Sequence, residues 1–158
     1  MSEKYPETLL NIALIEPEIP NNTGNIGRTC VGLWSKLHVV GPTPFEITDK
    51  NVKRAGLDYW PHLDMEIYDN WNQFSEILPD PEHVFLIETG SDKSIYDVEF
   101  QKGDFLLFGK ETKGLPAHVL EKYQDRKFSI PFPGQLRSFN LANAVAMCMS
   151  EAHRQFLA

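Results

Sequence analysis

Residues 9–34, LLNIALIEPEIPNNTGNIGRTCVGLW, decide the fold. They open on an apolar run stopped by Glu16 and Pro17 and close on a segment whose apolar residues recur at helical spacing. The run reads as a buried strand and the segment after it as a helix. That helix is expected to begin near Asn22 or Thr23, both good N-cap residues, and to run to about Trp34. Ile26, Thr29, Cys30, Leu33 and Trp34 follow the i, i+3, i+4, i+7, i+8 pattern and make one stripe. Arg28 sits about 200° round from Ile26 at ~100° per residue, so it points away from the stripe. A helix start with open backbone N–H groups, a bare Gly24 and an outward arginine suits an anion or a polar ligand, and it equally suits a plainly capped helix.

Working outward, apolar runs bounded by turn residues recur at KLHVVGP, HVFLIETG, DFLLFGK and KFSIPFPG, with segments of helical period between them. The alternation predicts an α/β fold, a mostly parallel sheet with helices on both faces. At 158 residues, with no internal repeat or linker, the chain is expected to be a single domain over 1–158, residues 1–9 forming a short N-terminal extension. The last helix, about Asn140 to Phe156, is different in kind. Its stretch LANAVAMCM is apolar or small on nearly every side, so it must be buried on two sides, and in so short a chain the second side points to another subunit. A homodimer is the expectation.

Net charge is −7, which by itself argues against a nucleic-acid partner, but the average conceals a gradient. Residues 58–104 hold 12 acids and 2 bases, residues 105–158 hold 4 and 7, and the first 57 residues hold 6 of each. A basic surface drawn from both ends is therefore compatible with the composition. No window approaches the ~18 apolar residues of a membrane span, and MSEKYPETLL lacks the apolar core of a signal peptide, so a cytoplasmic protein with no membrane contact is expected. Cys30 and Cys148 stand far apart, outside any metal-ligand spacing, and read as buried thiols; no metal is expected.

Three polar, Gly/Pro-punctuated turns follow predicted strand ends: IETGSDK, GKETKGLP and PFPGQLRSFN. In open α/β sheets ligands bind beyond the carboxyl ends of strands, which makes these turns a candidate pocket. Gly109 to Gly114 imitates the opening of a phosphate-binding loop, yet Leu115 and Pro116 stand where Lys and Ser/Thr are required. No GxGxxG, GxSxG or HExxH occurs, and the five histidines are scattered, so nucleotide hydrolysis, dinucleotide binding, serine hydrolysis and zinc chemistry all lack their motifs.

Taken together, IEPEIPNNTGNIGRTC, GLDYW, FGKETKGLP and IPFPGQLRSFNLANAVA, in this order and spacing, resemble the SPOUT-class tRNA 2′-O-methyltransferases, most closely the small ones acting on the wobble cytidine or uridine. The resemblance covers nearly the whole chain. It implies a C-terminal trefoil knot, which ordinary topology rules exclude. It also implies a dimer with active sites at the subunit boundary, and S-adenosyl-L-methionine as methyl donor. By motif, Ile87, Gly109, Ile130 and Ser138 are similar to the positions that line the donor pocket, and Glu111 and Gly114 to those that shape the middle loop. Arg28 matches the residue assigned to activating the ribose hydroxyl. A guanidinium rarely gives up a proton, so its expected role is to stabilise the forming alkoxide and hold the adjacent phosphate. Ser138 and Asn140 would orient the ribose, and the amide-rich helix start, Asn22 included, would face the tRNA. DKNVKRAG, with Lys50, Lys53 and Arg54, is a candidate tRNA patch. Two further readings are a relative acting on ribosomal RNA or another tRNA position, and a catalytically silent RNA-binding module.

Overall fold

The computed structural model describes residues 7–52 and 58–158. Six parallel strands form one sheet: β1 (Asn11–Ile15), β2 (Lys36–Val40), β3 (Met65–Tyr68), β4 (Val84–Ile87), β5 (Phe105–Phe108) and β6 (Lys127–Phe128), in the spatial order β3-β2-β1-β5-β4-β6. The five apolar runs of the sequence supply β1, β2, β4, β5 and β6. β3 has no such signal, because Asp64 and Glu66 break its apolar pattern. It is an edge strand with Ile67 half exposed, where charged neighbours are tolerated.

Alternate residues of each strand feed two cores. Ile12, Leu14, Leu37, Val39, Phe85, Leu106 and Phe108 pack under α1 (Pro20–Gly32) and α5 (Leu141–Leu157), which supply Ile26, Cys30, Val145, Cys148, Met149 and Ala152. On the other face, Ala13, Ile15, Val40, Leu86 and Leu107 pack with Phe74 of α3 (Trp71–Ser75) and Val119 of α4 (Ala117–Lys122). The fold expected from the alternation is thus observed, helices covering both faces. A short α2 (Asp49–Val52) lies against α1.

α1 corrects the expected helix at both ends. It starts at Pro20, not at Asn22 or Thr23, with Ile19 at the N-cap and no capping side chain of its own. Proline at the first helical position pre-sets φ and lacks an N–H that would need a partner. At the far end α1 stops at Gly32, and Trp34 lies beyond it, half exposed with φ +46°. The buried stripe accordingly runs through Thr23, Gly24, Ile26, Gly27 and Cys30. Gly24 is needed for contact: a Cβ there would stand 1.8 Å from the Val52 carbonyl oxygen, and the Tyr59 hydroxyl donates to the Gly24 carbonyl at 2.8 Å.

α5 begins as read, the Asn140 side chain capping it by accepting from the Asn143 N–H at 3.2 Å. One stripe, Val145, Cys148, Met149 and Ala152, is in the core. The opposite stripe, Asn143, Ala146, Met147 and Ser150, is exposed or half-buried. Among the described residues no helix is long and apolar enough to cross a membrane.

Candidate active site

Strand order places the site. The chain runs outward from β1 through β2 to β3, then returns to fill the other side with β4, β5 and β6, so the order reverses between β1 and β5. Crevices at such a switch, beyond the carboxyl ends of the strands, are where α/β sheets hold ligands. The loops after β1 and β5 meet here through Glu111. Its Oε1 accepts from the Glu18 N–H at 2.8 Å, and its Oε2 accepts from the Ile19 N–H at 2.7 Å and from Asn22 Nδ2 at 3.2 Å. The anion expected at the start of α1 is therefore the chain's own carboxylate. The N–H groups of Glu18 and Ile19 at the entry to α1 are engaged by this carboxylate, which suits the helix dipole, and those of Asn22 and Thr23 by the Ile19 carbonyl.

From Asn22 the network continues: Asn140 Nδ2 donates to Asn22 Oδ1 at 3.1 Å, joining the starts of α1 and α5. A second latch runs alongside. The Thr112 N–H and hydroxyl both donate to Glu18 Oε1, at 3.0 and 2.7 Å, and hold the Glu18 carboxyl below its usual range. Arg137 Nη2 donates to the Thr112 carbonyl at 3.0 Å. The segment 137–140, the loop 109–115 and the entry to α1 thus form one polar frame.

Behind the frame lies a cavity of about 280 Å³. Ile87, Gly109, Ile130 and Ser138, expected together from motif alone, all line it. Its floor is main chain. The turn 110–114 closes on itself, Lys110 N–H to Gly114 O at 3.2 Å and Gly114 N–H to Lys110 O at 2.9 Å. A Cβ on Gly109 would stand 1.9 Å from the Gly114 carbonyl carbon, so only glycine permits this approach. Ile87, Ile130, Phe139 and Leu141 make apolar walls, and Glu88, Lys110 and Arg137 add charge. Burial pushes the Glu88 carboxyl up, opposed by the Leu115 N–H, which donates to Oε2 at 3.1 Å, and by Lys127.

The other predicted residues fall elsewhere. Arg28 is on the exposed face of α1, as its position on the wheel requires, and is not part of the cavity wall. Asn22 is buried, 6% exposed, within the Glu111 network. Lys50 is exposed on α2; Lys53 and Arg54 lie outside the described residues. Both thiols are buried and raised by that burial, Cys148 to about 12, so neither is a nucleophile at neutral pH. Among the described residues no group of three or more His, Cys, Asp or Glu side chains gathers to hold a metal. Sequence reading missed Glu88 and the Glu18–Thr112 latch. Glu88, Glu18 and Thr112 are isolated polar residues in loops, and only the fold brings Leu115 to Glu88 and Thr112 to Glu18, across 27 and 94 positions.

Residues 9–150 match the SpoU rRNA Methylase family. The tRNA (cytidine(34)-2′-O)-methyltransferase of Aeromonas hydrophila is 43% identical over 148 residues, 93% of this chain and 94% of that one. A solved structure described as giving insights into the 2-OH methylation of C/U34 on tRNA is similar with a TM-score of 0.88 and 42% identity, over 97% of this chain and 93% of that one. The SpoU methyltransferase AviRb from Streptomyces viridochromogenes, solved with the cofactor AdoMet, shares the fold, with a TM-score of 0.80 and 24% identity over 100% of this chain and 62% of that one.

Proposed function

The chain belongs to the SpoU rRNA Methylase family, and on that premise we propose that it transfers a methyl group from S-adenosyl-L-methionine to the ribose 2′-hydroxyl of the wobble cytidine or uridine, position 34, of tRNA. Ribosomal RNA figures in the family's description, but identity above 40% over nearly the full length of relatives acting at position 34 favours tRNA. The observation that carries the reading is the cavity itself: four residues scattered between 87 and 138 line the same pocket.

The residues present fit the donor. A flat adenine needs apolar faces and fixed donors and acceptors at its edge; Ile87, Ile130 and Leu141 offer the first, and the main chain of the loop 109–115 the second. A cavity of about 280 Å³ is near the lower end of the range for small-molecule sites, about 300 Å³. The donor's sulfonium supplies a methyl group already activated for transfer. The protein's task is then to place the ribose oxygen and protect the charge that develops on it. Arg28 stabilises that charge and holds the neighbouring phosphate, while Ser138 and Asn140 orient the ribose. Asn22 acts behind them, fixing Asn140 to the Glu111 frame. The hydroxyl proton leaves as the new C–O bond forms.

We infer further that the whole chain works as one methyltransferase domain, that its C-terminal segment is tied into a trefoil knot, and that the protein is a homodimer. Supporting the knot, residues 129–140 leave β6 and pass the loop 109–115, with Arg137 bonded to Thr112, before α5 packs beside α1. Supporting the dimer, α5 has an uncovered stripe, and Arg28 stands outside the cavity wall of its own chain, as a site shared between subunits requires.

Incubation of the protein with donor and tRNA, followed by nucleoside mass spectrometry, is expected to give 2′-O-methylation at position 34. Methylation only elsewhere, or on ribosomal RNA, moves the chain to another substrate; donor binding with no methylation of any RNA makes it a silent module. Arg28→Ala should lower the transfer rate by about 100-fold or more while donor affinity measured by calorimetry stays within about threefold. Loss of both together would show a structural arginine.

A further inference from the structure

Of the two carboxylates in the cavity wall, Glu111 is committed to Glu18, Ile19 and Asn22, whereas Glu88 has no part in the frame or in the chemistry assigned above. It sits directly after β4, at a strand's carboxyl end. Its placement is tight. Oε2 accepts from the Leu115 N–H at 3.1 Å, and a Cβ on Gly114 would stand 2.3 Å from Oε1, so the carboxylate is pressed against a bare α-carbon whose φ of +71° itself favours glycine. The residues around it leave the charge incompletely compensated, which is why burial raises its pKa.

A carboxylate held in this way takes further N–H or O–H donors, and its two oxygens match a pair of adjacent hydroxyls. A cationic centre is the other class of occupant. Loop geometry decides between them. The Leu115 N–H that bonds Glu88 belongs to the loop 109–115, whose main chain is assigned above to the adenine edge, so Glu88 stands beside the nucleoside part of the donor. The ribose is joined directly to the adenine and presents adjacent hydroxyls there. We infer that Glu88 is a specificity residue for the nucleoside part of the methyl donor, its carboxylate accepting hydrogen bonds from the ribose hydroxyls. The inference rests on the methyltransferase reading and adds to it a side-chain contact in a pocket otherwise floored by main chain.

The test is calorimetry with S-adenosylhomocysteine and its 2′-deoxy and 3′-deoxy forms, on the wild-type protein, Glu88→Gln and Glu88→Ala, each first checked by its melting curve. In the wild type, removal of a hydroxyl should weaken binding about tenfold, the range of a bond to a charged acceptor. In both variants the intact ligand should be weakened by a similar factor, and the deoxy forms should bind about as well as the intact one. Equal weakening of all three ligands in the variants, with the wild-type discrimination kept, would make Glu88 a strut for Leu115 and overturn the inference. So would variants indistinguishable from wild type. A wild-type protein that does not bind S-adenosylhomocysteine at all overturns the methyltransferase reading as well, so the two failures are separable.

Discussion

At the scale of single residues, His38 shows how burial sets chemistry away from the site. It is 1% exposed in β2, with Nε2 2.9 Å from Asn11 Oδ1 and Nδ1 2.8 Å from the Tyr68 hydroxyl oxygen; the Tyr68 hydroxyl donates to Glu66 at 2.5 Å. Burial, reinforced by the charge of Lys36 and opposed by Glu66, lowers its pKa from 6.5 to about 4. The unfolded chain takes up this proton near 6.5 and the folded one resists to about 4. The stabilisation is therefore complete above the first value and is lost as pH falls through the second, on the order of 3 kcal/mol in all. Thermal melts at stepped pH should show this loss in the wild type, and His38→Gln should flatten it. An equally steep acid dependence in the variant would assign the loss to the carboxylates. Nothing in KLHVVGP distinguishes this histidine from a surface one, because its partners Asn11 and Tyr68 lie on neighbouring strands.

At the scale of elements, the glycines of NNTGNIGR are packing devices. Gly24 is closed by the Val52 carbonyl at 1.8 Å from a built Cβ and Gly27 by Leu63 at 3.1 Å, while Gly32 in the same helix has nothing within 4 Å. Gly24→Ala should therefore destabilise by about 1–3 kcal/mol despite the better helix propensity of alanine. Gly32→Ala should stabilise by up to about 1 kcal/mol. Denaturant titration of the two variants checks the contrast, and equal shifts would refute it. What the sequence made legible follows the same division. Apolar periodicity located five strands, both long helices and the Asn140 cap, because burial repeats along the chain. It missed β3, whose edge position relaxes the pattern, and misplaced the start of α1, whose cap comes from Glu111 across the fold. The turns that carry Ile87, Gly109 and Ser138 were legible as polar loops at strand ends; the four cavity residues Ile87, Gly109, Ile130 and Ser138 were singled out only through the resemblance. They contribute through position, and position has no composition.

At the scale of the whole molecule, the uncovered stripe of α5 is the feature that a monomer leaves unexplained. Ala146 lies on it between the exposed Asn143 and Ser150, opposite the core stripe of Val145, Cys148, Met149 and Ala152. Ala146→Glu places a charge where two helices would meet, and light scattering should show half the wild-type mass with the melting temperature of the monomer fold retained. A wild-type protein that is already monomeric would remove the dimer and, with it, the reason for Arg28 to stand apart from the cavity. The frame around Glu111 reaches further in time than in space. Its bonds span 89 to 93 positions and the Asn22–Asn140 bond 118, so the first strand and helix leave the ribosome long before their partners are made. No nascent fragment that ends before Asn140 holds the frame, and an enzyme that marks decoding adaptors is withheld from those translating its own message until the start of α5 has emerged.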